Sequence, residues 1–163
     1  MKLILITILS LVIIFRAGAS PAQDFNKGMA AAQAGDYVTA LKEWRPLAEQ
    51  GLMKAQSNIG LLYENSLGVV QNFSEATKWY RLAAVRGDAN AQYGLGSIYG
   101  GGYGVLQDNI KGYMWYSIAS DKGLKEASRQ TYLCEFLMTP LDISKAKSMA
   151  KKCLNSNYLR CEW

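Results

Sequence analysis

GLMKAQSNIGLLYENSLGVVQNFSEATKWYRLAAVR, residues 51–86, is followed directly by GDANAQYGLGSIYGGGYGVLQDNIKGYMWYSIASDK, residues 87–122, and the second stretch repeats the first at a spacing of 36 residues. Gln56 recurs as Gln92, Gly60 as Gly96, Tyr63 as Tyr99, Gly68-Val69 as Gly104-Val105. The period also reaches beyond these two units: Ala40, Ala76 and Gly112 align, as do Trp44, Tyr80 and Tyr116, Gly51, Gly87 and Gly123, and Ala55, Ala91 and Ala127. Small residues and aromatics recurring together at fixed offsets mark a repeat architecture, in which each unit buries its apolar face only by stacking on its neighbours.

Within a unit the offsets are helical. Ala55, Ile59, Leu62 and Tyr63 stand at i, i+4, i+7 and i+8, and Ala91, Leu95, Ile98 and Tyr99 repeat that face. Gly60 and Gly96 lower helix propensity and imply close approach of a neighbouring helix. Asn72-Phe73-Ser74-Glu75 reads as a capping box, and Asp108 opens the equivalent helix one unit on. Gly87 and Gly123 are helix stops. Asp88 is a good helix start, whereas Leu52 and Leu124 at the matching positions predict looser or differently capped starts. Helices are predicted near residues 23–34, 37–50, 53–65, 73–86, 89–100, 109–122, 125–138 and 141–155, with no convincing strand pattern. The expected fold is all-α, a stack of antiparallel helical hairpins.

Working outward, residues 1–22 read as a secretory signal peptide: Lys2, an apolar run from Leu3 to Phe15, then small residues. Cleavage after Ala19 or after Ala22 fits, with Ala22 preferred. That places the protein outside the cytoplasm, periplasmic or secreted, with no stable membrane insertion once the leader is removed. One helical-repeat domain over 23–163 would remain, with 16 basic and 13 acidic residues. A net charge of +3 is too mild to imply nucleic acid. The excess is local, because eight basic residues face four acidic ones from Lys122 onward.

The motif Ala-Gln-x-x-x-Gly-x-x-Tyr, then Gly-Val, then Ala/Gly-x-x-Trp/Met-Trp/Tyr and a closing Gly, resembles the Sel1-like repeat family, relatives of the tetratricopeptide repeats. The resemblance implies full units at 51–86 and 87–122, a right-handed superhelix of hairpins, and a binding scaffold. Gly60 to Ala76 spans 16 residues, as does Gly96 to Gly112, but Gly28 to Ala40 spans only 12. Residues 23–50 are therefore expected to form a shorter, tetratricopeptide-like hairpin, and 123–163 a divergent capping hairpin with a tail. Gly100-Gly101-Gly102 predict a pliable loop, and Gly112 in place of Ala a weakened helix. Thr139-Pro140-Leu141-Asp142 suits a helix start. Three cysteines follow: a Cys153–Cys161 bridge is preferred, a Cys134–Cys153 bond is its rival, and the sequence does not decide.

The absence of histidine removes imidazole-dependent nucleophile pairs and imidazole metal ligands. No cofactor, metal site or catalytic residue is expected. Ser144-Lys145-Ala146-Lys147 matches the Ser-x-x-Lys pattern of serine β-lactamases, an activity attributed to some exported relatives, but the Ser-Asp-Asn and Lys-Thr-Gly partners are missing. A β-lactamase-like or penicillin-binding activity is therefore the alternative to a non-enzymatic scaffold that binds a protein or peptide. If the first helix of each hairpin lines the concave side, Lys54, Ser57, Leu61, Glu64, Asn90, Tyr93, Ser97 and Arg129 form the partner-binding groove. Trp44, Tyr63, Trp79, Tyr80, Tyr99, Trp115 and Tyr116 are assigned to core packing.

Overall fold

The computed structural model describes residues 21–161; the leader read at the N-terminus lies, apart from its last two residues, outside them. The described residues hold eight helices: α1 Pro21–Gln33, α2 Tyr37–Glu49, α3 Met53–Glu64, α4 Phe73–Ala84, α5 Ala89–Gly101, α6 Asn109–Asp121, α7 Lys125–Leu137 and α8 Pro140–Asn155. Three pairs pack as hairpins, α1 on α2, α3 on α4 and α5 on α6, and each second helix also packs on the first helix of the next pair. Two apolar clusters result. One centres on Trp44, Leu47, Ile59 and Leu62, the other on Tyr80, Leu95, Ile98, Met114, Trp115 and Ile118, and Tyr63 packs against both.

Local chemistry sets the helix ends. Gly51, Gly87 and Gly123 take left-handed φ values of 91°, 91° and 87°, which only glycine adopts without strain. Asp88 accepts from the Ala91 N–H at 2.8 Å and Asp108 from Lys111 at 2.9 Å. No side chain caps the helices that start after Leu52 and Leu124. Asn72 caps α4 through the Glu75 N–H, but the reciprocal half of the capping box does not form. Glu75 pairs instead with Lys78 at 2.6 Å, while the Asn72 N–H donates to the Tyr63 carbonyl.

The repeat's glycines are seats for aromatic rings. A Cβ on Gly60 would stand 2.5 Å from Tyr80 Cδ1, one on Gly94 2.5 Å from Tyr80 Cε2, and one on Gly96 2.5 Å from Tyr116 Cδ1. The second-helix tyrosine thus lies flat on its own first helix, and Tyr80 also lies against the next one. Polar contacts repeat with the same period. Arg45 donates to the Tyr63 hydroxyl at 2.9 Å and Arg81 to Tyr99 at 2.7 Å, while buried Gln56 and Gln92 donate to the Ala48 and Ala84 carbonyls.

Three sequence expectations change. Gly100 and Gly101 belong to α5, so only Gly102, at φ 70°, turns the chain. Gly112 allows α6 to cross α5 closely, since a Cβ there would meet the Gly100 Cα at 2.8 Å. The C-terminal pair also departs from a hairpin: α8 packs on α6 rather than along α7. Its Met149, Ala150 and Cys153 enter the second cluster beside α6's Trp115 and Ile118.

Candidate functional site

The hairpins set α3 and α5 side by side, with the start of the gap floored by Tyr80 of α4. There a cavity of about 310 Å³ is lined by Ser57, Asn58, Leu61, Glu64, Tyr80, Asn90, Tyr93 and Gly94. Five of the eight groove residues proposed from sequence meet in it: Ser57, Leu61, Glu64, Asn90 and Tyr93. They converge because i, i+4 and i+7 along α3 share a face, and the same face of α5 lies one period on. Lys54, Ser97 and Arg129 do not line it. Lys54 is exposed at the start of α3, Ser97 is half-buried on α5, and Arg129 is exposed on α7.

Three lining residues were not among the sequence candidates: Asn58, Tyr80 and Gly94. Tyr80 is a core residue, only 2% exposed, whose ring edge nevertheless floors the cavity. Its hydroxyl donates to Glu64 Oε2 at 2.6 Å. Burial first, then the Glu64 carboxylate, raise the Tyr80 pKa far above the ordinary tyrosine range, so the bond keeps its donor at any physiological pH. The Gly94 signal was available in the sequence, as a second helical glycine two residues before Gly96, but only the ring lying on it explains that position.

Chemically the cavity mixes an aliphatic side chain, two aromatic rings, a serine hydroxyl, two carboxamides and one carboxylate. Tyr93 stands against Tyr116 with ring centroids 5.4 Å apart, which fixes its orientation. Asn carboxamides both donate and accept, as a peptide backbone requires of its binding surface. Glu64 adds a preference for a donor or a cation.

The Ser144 motif lies elsewhere, exposed on α8. Lys147 donates to Glu135 Oε1 at 3.2 Å, and the Tyr113 hydroxyl donates to the same carboxylate at 2.8 Å. The Glu135 contact, foremost, raises the Lys147 pKa, the direction opposite to that a general base needs. Cys153 and Cys161 form the disulfide, both buried, and close the tail onto the end of α8. Cys134 is a free thiol, half-buried, whose pKa burial raises, which disfavours the reactive thiolate. Among the described residues no helix is long and apolar enough to cross a membrane.

Comparison with known proteins places this geometry. The Sel1 repeat matches residues 54–88 and 89–124. No curated protein sequence matches the chain. Among solved structures the chain is similar to a protective antigen of uropathogenic Escherichia coli strains that displays the SLR fold. The TM-score is 0.78 at 23% identity, over 87% of this chain and 32% of that one. It is also similar to a Sel1 repeat protein from Oxalobacter formigenes, with a TM-score of 0.62 at 31% identity, over 66% of this chain and 44% of that one. The chain therefore spans less than half the length of either protein. The chain thus carries two consecutive Sel1 repeats, framed by helices that share the fold of these structures, which supports a place in the Sel1-like repeat family.

Proposed function

We propose that the chain is a non-catalytic interaction scaffold of the cell envelope or the secreted space, and that it holds an extended segment of a partner protein in the groove between α3 and α5. The Sel1-repeat fold commonly mediates protein–protein interaction. The observation that carries the reading is the cavity itself: Leu61 and Tyr93 offer apolar contact, Asn58 and Asn90 offer amide partners, and Glu64 is fixed by Tyr80. Tyr93 is the anchor, since aromatic side chains held in place dominate interface energy. The Cys153–Cys161 bond supports an oxidising compartment, where disulfides persist.

Selection of peptides from a random display library on the immobilised protein tests this. Selected peptides are expected to bind Tyr93→Ala and Asn90→Ala variants more weakly, Tyr93→Ala by about tenfold or more, equivalent to about 1.4 kcal/mol. Circular dichroism checks that both variants keep their helices. A library that yields no binders, or binders indifferent to both substitutions, would overturn the groove.

A further inference from the structure

The outer face of α7 is apolar and bare. Tyr132 is 61% exposed, Phe136 72%, Leu137 83%, and Leu141 at the start of α8 79%. Tyr132, Leu133, Phe136 and Leu137 form a stripe at i, i+1, i+4 and i+5 along α7, opposite the side that carries the buried Ala127 and half-buried Cys134. Tyr132 and Phe136 already contact each other edge to face, with centroids 4.9 Å apart. Contiguous exposed apolar surface of this kind marks an interaction site on a folded protein.

The repeat explains why the face is uncovered. Tyr132 stands one period after Gly96 and Phe136 one period after Gly100, the two glycines that let α6 settle on α5. A second helix cannot come as close to α7 as Tyr116 comes to Gly96, because the Tyr132 and Phe136 rings occupy that space. Accordingly α8 leaves α7 and packs on α6. A repeat stack ordinarily covers such a face with a further helix or a polar cap, and no described residue does so here.

We propose that this face is covered by the same face of a second copy of the chain, in a closed two-fold dimer. The two ends of the molecule decide between copies joined end to like end and copies joined head to tail. At the other end, among the described residues, α1 exposes Asn26, Lys27, Ala30 and Gln33, a polar and small-residue surface without an apolar match for the α7 stripe. Like must then pair with like, which closes after two subunits. Antiparallel packing of α7 on α7 centred between Leu133 and Phe136 sets Leu133 of each copy on Phe136 of the other, and Tyr132 on Leu137. It also carries Arg129 towards the first turn of the other copy's α8, where Asp142 lies. Opposed helix dipoles favour the same direction. Cys134 faces α6 and takes no part, so the association is independent of a disulfide between copies.

Sedimentation velocity over a concentration series, on protein purified after export, tests the proposal. The wild type is expected to shift from monomer to dimer with concentration, unchanged by reductant strong enough to block Cys134 cross-linking. Phe136→Glu, at an exposed position where the fold tolerates a charge, is expected to weaken the dimer by at least about a hundredfold, whereas Leu106→Glu, 92% exposed on the loop before α6, leaves it intact. A wild type that stays monomeric, a dimer untouched by Phe136→Glu, or open-ended assembly would each overturn it. Peptide binding in the groove by Phe136→Glu separates this outcome from failure of the scaffold reading, because the groove residues lie on α3, α4 and α5.

Discussion

The α5–α6 hairpin and the α7–α8 pair start from the same repeat position and end in different packing. In the first, Gly96 leaves room for the Tyr116 ring and α6 lies along α5. In the second, the matching position is Tyr132, and α8 packs on α6 instead. The difference teaches that helicity and hairpin formation are separable. α7 and α8 are both regular helices with proper ends, and Thr139 caps α8 through the Asp142 N–H at 3.2 Å. What α7 lacks is a place for its partner. Small residues on the facing side of the first helix, not helix propensity, set whether the chain returns along itself.

The largest test of that contrast is a branched side chain in the seat. Gly96→Leu should destabilise the protein by about 3 kcal/mol, because overpacking against a fixed ring outweighs the helix propensity gained. At concentrations where the chain is monomeric, Tyr132→Gly, its counterpart on α7, should cost only about 1 kcal/mol, the intrinsic penalty of an exposed helical glycine. Urea midpoints for the two variants would decide it; equal losses would remove the role given to the seat.

A smaller effect should appear at alkaline pH. Burial holds the Tyr80 and Tyr116 hydroxyls above the ordinary tyrosine value of 10.0, so both stay protonated in the folded state while the unfolded chain ionises. The unfolded state then binds fewer protons, and stability falls as pH rises past that ordinary value. The slope should approach roughly 1 kcal/mol per pH unit for each of the two rings. Tyr116→Phe should therefore reduce the slope. Thermal melts at stepped alkaline pH provide the readout.

The smallest difference concerns the bond that ties each unit to the next. Gln92 is fully buried and donates to the Ala84 carbonyl at 3.1 Å, whereas Ser128, one period later, is exposed and shares a 2.7 Å contact with Ser120. Gln92→Ala should cost about 1.5 kcal/mol, from a lost buried bond and the space left behind, and Ser128→Ala less than about 0.5 kcal/mol. Comparable losses at both positions would mean that the C-terminal unit is joined as tightly as the internal ones.

Much of the cavity's lining was legible because it follows from periodicity. Ser57, Leu61 and Glu64 share a helical face, and Asn90 and Tyr93 repeat it, so their convergence needed only the assumption that first helices line the concave side. Arg129 obeyed the same arithmetic and falls outside the cavity, because the cavity lies between α3 and α5 and α7 is one hairpin further on. Tyr80 was legible only as core, since a periodic aromatic gives no sign that one edge of its ring also faces a cleft.

The sequence by itself determined the helices, the period and the seats, because these rest on contacts between residues a few positions apart or on the steric freedom of glycine. Only the tertiary structure decided which helix α8 joins, which cysteines pair and which face of α7 stays open. Those outcomes depend on whether side-chain volumes fit across distant elements. Tyr132 and Gly96 are equally compatible with a helix, and they differ only when another helix arrives.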